Sequence, residues 1–276
     1  MKKLLLILLC LPLFGLGQIS FFLDVNSGIT DSAGSGARIA VSDLDNDGDN
    51  DVVISSASFS ELFDNNGSGS FHASGANGMF PPTQDWNGSI GFSDIDNDGH
   101  QDILMTGNKD ANGNLKTEIY RNDATSHFYL HNATSIVGVE HSAVAFADVD
   151  NDGDEDVLIT GDAGAIDIIR LYKNNGAGNF TEDTSFPSNC GVIDGDVGFL
   201  DFDLDGDLDL IAIGMNFCSQ SSQTTLYENN GSGNFTVSSY QPFYSNMMFS
   251  SLAIADIDGD NDMDVIMSGD DGAFSA

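Results

Sequence analysis

The sequence predicts an all-β fold assembled from internal repeats. Three observations carry this prediction: an acidic segment that recurs along the chain, a segment rich in Asn and Gly that recurs with it, and short apolar runs between the two. The composition agrees, because 31 Gly and only 5 Pro among 276 residues, with 41% hydrophobic residues, suit many short strands joined by turns. Beyond the first residues, no stretch shows the periodicity of an amphipathic helix.

The acidic segments begin 51–55 residues apart and contain more than half of the 43 acidic residues. They occupy residues 43–51, 94–102, 148–156, 201–209 and 256–264. The second segment has the form Asn-Asn-Gly-x-Gly-x-Phe at 65–71, 174–180 and 229–235, with a degraded copy at 122–128. Two motifs that stay in phase over about four periods indicate an internally repeated fold.

Each repeat contains four short apolar runs that are typical of β-strands. In the third repeat they cover 143–147, 156–161 and 168–172 and then begin again at Phe180. The second run is apolar on both faces, as expected for a strand between neighbouring sheets. Four strands in such a repeat predict a β-propeller of four-stranded blades, with a solenoid of the same sheets as the alternative.

The number of repeats predicts an incomplete propeller. The chain supplies about four and a half repeats of 51–55 residues, and the fifth repeat has an acidic segment and a second strand but no Asn-Asn-Gly half. We therefore expect either a fragment or an open arc with exposed strand edges. Further repeats or domains of a longer chain are compatible with this expectation.

Residues 1–17 are predicted to be a signal peptide, which leaves 18–276 for the repeats. Two lysines precede an apolar run over 4–14, and small residues stand just before Gln18, the expected first residue of the mature chain. The run is too short for a membrane anchor. Cys10 raises the alternative of a lipoprotein, but the residues before it are leucines rather than small residues. We expect a secreted or cell-surface protein without membrane insertion after cleavage.

The charge balance favours cations as partners and disfavours anions. Lys and Arg total 8 against 43 Asp and Glu, for a net charge of -35. Such a chain repels the phosphates of nucleic acids and the head groups of anionic lipids, so neither is an expected partner. Because the acidic residues cluster at regular spacing, the charge is best explained by a repeated site rather than by a solvated surface.

Each nine-residue acidic segment, here called an acidic loop, has the composition of a Ca²⁺ site. Asp stands at positions 1, 3 and 5, Gly at position 6 permits a sharp turn, position 7 offers its carbonyl, and Asp at position 9 closes the shell. Six or seven oxygen ligands suit Ca²⁺ better than Mg²⁺ or a transition metal. An EF-hand requires Glu at position 12 and flanking helices; here position 12 is Ile54, Met105, Ile159, Ala212 or Met267, and the flanks are strands.

We therefore predict up to five structural Ca²⁺ ions. The predicted metal residues at positions 1, 3, 5, 7 and 9 of the loops are Asp43, Asp45, Asp47, Asp49 and Asp51; Asp94, Asp96, Asp98, His100 and Asp102; Asp148, Asp150, Asp152, Asp154 and Asp156; Asp201, Asp203, Asp205, Asp207 and Asp209; and Asp256, Asp258, Asp260, Asp262 and Asp264. His100 is compatible with a site because position 7 needs only its carbonyl. Leu204 stands at a non-ligand position, and Asn261 replaces Gly at position 6 as the next best residue for positive φ.

Together, these motifs resemble a known repeat. The succession Phe-x-Asp-x-Asp-x-Asp-Gly-x-x-Asp, an apolar strand and Tyr-x-Asn-Asn-Gly-x-Gly-x-Phe is similar to the FG-GAP/VCBS repeat, and the resemblance runs from Ile19 to the C-terminus. This resemblance implies the calcium-binding propeller found at the head of integrin α chains and in many exported bacterial proteins. Propellers of that family usually close with seven blades. The resemblance implies no particular ligand.

The sequence offers no catalytic constellation, so we expect a protein that is not an enzyme. None of the five His has zinc-ligand spacing, and no nucleophile elbow or phosphate-binding loop is present. The first hypothesis is a binding or adhesion module for a protein or a glycan. The alternative is the non-catalytic propeller portion of a larger secreted polysaccharide-acting enzyme, and a third, a propeller enzyme in itself, is disfavoured by the scarcity of basic residues. Phe80 and Trp86 suit stacking on a sugar ring, although packing between blades is favoured.

Cys190 and Cys218 are predicted to form a disulfide. They are the two cysteines that remain after signal cleavage, and an extracytoplasmic compartment favours pairing. Cys190 precedes the first strand of the fourth repeat and Cys218 follows its second strand. An antiparallel hairpin brings those two points to the same end of the blade, opposite the acidic loop.

Overall fold

The computed structural model describes residues 29, 37–56, 59–74, 80, 88–123, 127–131, 135–188, 190–216, 221–241 and 248–270. The regular secondary structure in these residues consists entirely of β-strands, which confirms the all-β prediction. Along the described ranges, no helical segment has the length and apolarity needed to cross a membrane. The predicted signal peptide, Gln18 and Trp86 lie outside the described residues.

The strands follow one another in groups of four, and each group is one blade. The first blade contains β1 (Arg38–Ser42), β2 (Asp51–Ser56), β3 (Phe59–Asn65) and β4 (Phe71–Ala73). The second contains β5 (Ile90–Ser93), β6 (Asp102–Lys109), β7 (Leu115–Asn122) and β8 (Phe128–His131). The third contains β9 (Glu140–Ala147), β10 (Asp156–Asp162), β11 (Asp167–Lys173) and β12 (Thr181–Glu182). The fourth contains β13 (Ile193–Leu200), β14 (Asp209–Asn216), β15 (Ser221–Glu228) and β16 (Thr236–Val237), and the fifth contains β17 (Met248–Ala255) and β18 (Asp264–Asp270).

Within each blade the strands pair in chain order and are all antiparallel. In the third blade, for example, Leu158 of β10 pairs with Ala145 on one side and Leu171 on the other. The first strands of successive blades lie side by side in the order β1, β5, β9, β13 and β17, as the innermost strands of a propeller do. The predicted propeller of four-stranded blades is confirmed. Over the described residues the arc does not close into a ring, consistent with an incomplete propeller.

The hydrophobic core lies between the blades. The second strand of each of the first four blades is buried along almost its whole length. Neighbouring sheets cover both faces of this strand in the second, third and fourth blades, whereas in the first blade Ile29 packs against the face turned away from the second blade. Phe80 is only 1% exposed and packs edge-on against Tyr120 and Phe128. Phe186 takes the equivalent place between the third and fourth blades, against Tyr227 and Phe235. The prediction that Phe80 packs between blades, rather than on a sugar, is therefore confirmed.

The disulfide prediction can be followed through the register of the fourth blade. Cys190 is disulfide-bonded, whereas Cys218 lies outside the described residues. Ile193 pairs with Met215, and the two cysteines stand three positions before and three positions after that pair in the sequence. We expect thiol titration of the denatured, unreduced mature protein to find no free thiol. Cys218→Ser should expose one thiol per chain and lower stability by about 3.5 kcal/mol, whereas two thiols in the unsubstituted protein would contradict the bridge.

Candidate metal sites

Each acidic loop connects the first and second strands of its blade, so the five loops occupy equivalent places along the arc. The loop begins where the inner strand ends, and its position 9 is already the first residue of the second strand. Position 9 is therefore anchored in the sheet, while positions 1–8 are free to curl. This is the local arrangement that the repeated motif predicts.

The loop backbone enters the left-handed region twice. Position 6 has φ of 95°, 91°, 93° and 94° at Gly48, Gly99, Gly153 and Gly206, and 74° at Asn261. Position 4 has φ of 59°, 57°, 60°, 61° and 81° at Asn46, Asn97, Asn151, Leu204 and Gly259. The turn at position 6 was predicted, and Asn261 adopts it as expected. The turn at position 4 was missed, although Asn or Gly in four of the five loops was a readable signal.

Leu204 carries a conformational cost that Asn would relieve. It adopts φ of 61° and is 66% exposed, so its side chain gains little from burial to offset a left-handed backbone that costs about 1–2 kcal/mol. We expect Leu204→Asn to raise the melting temperature by about 2–4 °C. Leu204→Ala is the matched control, because it removes the same apolar side chain and keeps the unfavourable φ. Equal melting temperatures for the two variants, measured by circular dichroism, would contradict this explanation.

Backbone amides hold the first carboxylate of each loop in place. In the third loop the amides of Asp152 and Gly153 donate to the two oxygens of Asp148 at 3.1 and 2.9 Å, and the amide of Asp154 donates to Asp152 at 3.0 Å. The first, second and fourth loops repeat these contacts. The fifth loop differs, since Asp256 accepts from Gly259 and Asn261. The curl directs the carboxylates towards one another.

Three carboxylates converge in every loop, with one oxygen from each lying within 4.8 Å of the others. The converging groups are Asp43, Asp45 and Asp51; Asp94, Asp96 and Asp102; Asp148, Asp150 and Asp152; Asp201, Asp203 and Asp209; and Asp256, Asp258 and Asp260. Positions 1 and 3 are thus common to all five clusters. The third member is position 9 in three loops and position 5 in two. The position-7 side chains lie outside these clusters, and the predicted use of their carbonyls stays a prediction.

The carboxylate at position 9 is buried and tied to the third strand of its own blade. Asp51, Asp102, Asp156 and Asp209 are each 1% exposed, and each accepts a hydrogen bond of 2.8 Å from the amide of the first Asn in the Asn-Asn-Gly turn or its degraded copy. Burial raises the pKa of Asp102 to about 7 and that of Asp156 to about 6, although these amide bonds oppose the shift. Because burial disfavours the ionised carboxylate at position 9, a nearby positive charge would stabilise it.

The donor set fits a hard divalent cation. Within the described part of the chain, Asp96 Oδ1 and Asp150 Oδ1 are buried and have no hydrogen-bond partner, and both belong to position 3 of a cluster. Asp64 Oδ1, beside the first loop, is in the same condition. Since all the converging atoms are carboxylate oxygens, the chemistry suits Ca²⁺, with Mg²⁺ second because it keeps its waters. Positions 1, 3 and 9 or 5 are the residues that would hold it.

Two loops also contain a basic side chain. Lys173 Nζ lies 2.9 Å from Asp150 and 3.1 Å from Asp156 in the third loop. Arg121 pairs with Asp96 and lies 3.8 Å from Asp98 in the second loop. Lys173 is the last residue of β11 and Arg121 the penultimate residue of β7, and each stands immediately before the first Asn of the turn. Sequence reasoning missed this position.

The equivalent residues of the first and fourth blades are acidic. Asp64 stands at this position in the first blade, and burial together with the charges of Asp51 and Asp45 raises its pKa to about 6. Glu228 stands there in the fourth blade and accepts a hydrogen bond of 2.5 Å from the Ser238 hydroxyl. The four complete blades thus divide into two with a basic residue and two with an acidic residue at the same place.

The loops are also connected to the following blade. The side-chain amides of Asn122, Asn174 and Asn229 donate to the carbonyls of Leu44, Ile95 and Val149, at 2.6, 2.9 and 2.8 Å. Each acceptor is position 2 of the preceding acidic loop, and each is 1% exposed. The first Asn of the turn therefore joins its own blade's position-9 carboxylate to the loop of the blade before it. We call this contact the asparagine latch.

These features define a class of protein: a propeller of up-and-down four-stranded blades with a potential metal-binding loop in each repeat. The FG-GAP-like repeat matches the chain at residues 43–105, 94–159, 148–212 and 201–267. The chain therefore belongs to the FG-GAP-like repeat family. Each matched segment begins at one acidic loop and ends in the strand that follows the next acidic loop. The family unit therefore spans the boundary between two blades.

A solved structure has the same architecture. It is described as the structural basis of specific recognition of non-reducing terminal N-acetylglucosamine by a lectin of Agrocybe aegerita, and it matches with a TM-score of 0.54 at 17% identity. The match covers 84% of this chain and 60% of that chain, so this chain spans about three-fifths of its length. Among curated proteins, none matches. At this identity the likeness concerns the fold alone.

Proposed function

We propose that this chain is an exported, calcium-stabilised binding module that recognises a glycan or a protein and does not catalyse a reaction. The observation that supports it most strongly is the repeated convergence of three carboxylates in all five loops, with unpartnered oxygens in the second and third. The two lysines and apolar run at the N-terminus support export. Outside the cell, modules of this kind need only modest affinity, with a Kd of about 10⁻⁴–10⁻³ M for Ca²⁺.

The proposed ligand site lies away from the acidic loops. The first strands of all five blades line a cavity of about 520 Å³ near the ends of the strands opposite those loops. Its lining combines the carboxylates of Asp194 and Asp196 and the guanidinium of Arg38 with several serine hydroxyls, and Phe249 is 66% exposed beside them. Hydrogen-bonding groups next to an exposed ring suit a sugar. The metal ions would then support the scaffold rather than contact the ligand.

A glycan array tests this proposal directly. The mature chain should bind a restricted set of glycans in calcium, and terminal N-acetylglucosamine deserves inclusion because the structurally similar lectin is described as recognising it. Phe249→Ala should abolish binding, whereas Tyr240→Ala, which removes an exposed ring on the outer part of the fourth blade, should not. An array without binders would contradict glycan recognition, and release of cleaved product from any array glycan would contradict a non-catalytic role.

Export is tested separately. Expression with the native N-terminus in a secreting host should release a chain that begins at Gln18, as judged by N-terminal sequencing. Retention of the intact N-terminus inside the cell would contradict export and leave the metal and ligand proposals standing.

A further inference from the structure

We propose that Arg121 and Lys173 are resident cations of the second and third acidic loops, so that these loops bind Ca²⁺ more weakly than the first and fourth and depend on it less. This inference rests on the proposed calcium binding and assigns unequal roles to loops that look alike in the motif. It concerns the residue before the first Asn of each turn, which is acidic in the first and fourth blades and basic in the second and third.

The third loop gives the clearest geometry. Lys173 Nζ bridges Asp150 at 2.9 Å and Asp156 at 3.1 Å, which are positions 3 and 9 of the loop. Position 9 belongs to the converging cluster in the first, second and fourth loops, but not in the third. In the third loop the buried Asp156 is instead bound to the Lys173 ammonium group. Three donors on Lys satisfy carboxylates that would repel one another without a cation.

The space for this ammonium group is part of the fold. A Cβ at Gly233, in the turn of the fourth blade, would collide with Lys173 Nζ and crowd Asp150. Lys173 is only 22% exposed, since the neighbouring turn covers it. The side chain is thus enclosed between two blades rather than extended into solvent. Displacing it in favour of a metal ion would require this enclosure to open.

The second loop uses a guanidinium in the same way. Arg121 is 16% exposed, pairs with Asp96 and lies 3.8 Å from Asp98, so it contacts positions 3 and 5. The guanidinium stays charged at any pH at which the protein folds. In the absence of metal, its positive charge offsets part of the negative charge of Asp96 and Asp98.

The charge at this position decides how strongly each loop attracts Ca²⁺. Replacing the acidic Asp64 or Glu228 by a basic residue changes the local charge by two. A unit positive charge about 5 Å from a divalent ion weakens binding by at least about tenfold, even at the dielectric constant of water. We therefore expect the first and fourth loops to form a tight class of sites and the second and third a weak class.

Calorimetric titration of the chelator-treated mature chain with CaCl₂ tests the inference. The unsubstituted chain should show two classes of sites that differ at least about tenfold in Kd. Arg121→Gln and Lys173→Gln should each move one site from the weak class to the tight class. Arg170→Gln is the matched control: it removes the same charge from the same strand as Lys173, but Arg170 pairs with Glu182, outside the loop. This control should leave both classes unchanged.

The reverse substitution keeps the test decisive if Lys173→Gln or Arg121→Gln fails to fold. Asp64→Lys places the resident cation in the first loop and should move one site from the tight class to the weak class. Unchanged site classes in Lys173→Gln, Arg121→Gln and Asp64→Lys, with calcium bound in all of them, would overturn the inference and leave the proposed function intact. Absence of any calcium binding by the unsubstituted chain would overturn the proposed function and, with it, this inference.

Discussion

Removal of calcium is expected to lower the melting temperature of this protein by more than about 10 °C. A ligand that binds only the folded state stabilises it by about 2.7 kcal/mol per site at 100 times its Kd. Two such sites contribute about 5 kcal/mol, and each kcal/mol corresponds to about 2–4 °C in a chain of this size. The metal-free loops also keep carboxylates within 4.8 Å of one another, so their repulsion acts in the same direction.

Thermal unfolding in calcium and in excess EGTA measures this effect. EGTA that has been saturated with calcium beforehand is the control and should leave the melting temperature unchanged. Within the third loop, Asp148→Ala should reduce the calcium-dependent part of the stability. Asp154→Ala should not, because that side chain lies outside the cluster and accepts instead from Asn97 of the neighbouring loop at 2.6 Å. Superimposable melting curves in calcium and EGTA would refute the assignment of the loops.

Asp209→Ala is expected to destabilise the fourth blade by about 3–5 kcal/mol, with or without calcium. Asp209 is 1% exposed and accepts from the amides of Phe202 at 3.0 Å and Asn229 at 2.8 Å. The Asn229 amide is buried and the Phe202 amide is part-buried. A buried amide that loses its partner costs about 1–3 kcal/mol, and the lost metal ligand adds to this in calcium. The position-9 residue is therefore a structural part of the blade as well as a candidate ligand.

Asp207→Ala is the matched control for this substitution. It removes the same charge from the same loop, but Asp207 is outside the cluster and its carboxylate lies beside Gly231 at the surface of the turn. Chemical denaturation in EGTA should show a large loss for Asp209→Ala and a small one for Asp207→Ala. Equal losses in EGTA would show that position 9 contributes only its charge.

The periodic features of the fold were predictable from the sequence. The spacing of the acidic loops, the apolar second strands and the Asn-Asn-Gly turns gave the blades and their order, because each depends on residues close together in the chain. In the degraded copy at 122–128 the backbone amide of Asp123 donates to the His127 carbonyl, as the amide of Asn66 donates to the Ser70 carbonyl in the first blade. Even the curl at position 6 followed from local backbone preference.

What escaped prediction depends on contacts between blades or between the two halves of one blade. Lys173 follows an apolar strand and looks like an ordinary strand end, and only the folded sheet brings it to Asp150 and Asp156. The latch from Asn174 to the Ile95 carbonyl joins residues 79 apart in the chain. Position 9 looked like a metal ligand alone, because the motif gives no hint that two backbone amides already bind its oxygens. The periodicity of the sequence identifies the repeating blade, but it does not identify the hydrogen bonds that join one blade to the next.

The asparagine latch gives the array a direction. Each latch reaches from one blade back to the loop of the blade before it, so a blade that melts releases the loop of its predecessor but not that of its successor. In a nearest-neighbour model of repeat-protein stability, the coupling between adjacent blades therefore has a direction along the chain. The fifth loop receives no latch from the described residues, and its position 2, Ile257, is 57% exposed where Leu44, Ile95 and Val149 are buried. We therefore expect melting of any one described blade to lower amide protection in the second strand of the blade before it more than in the second strand of the blade after it.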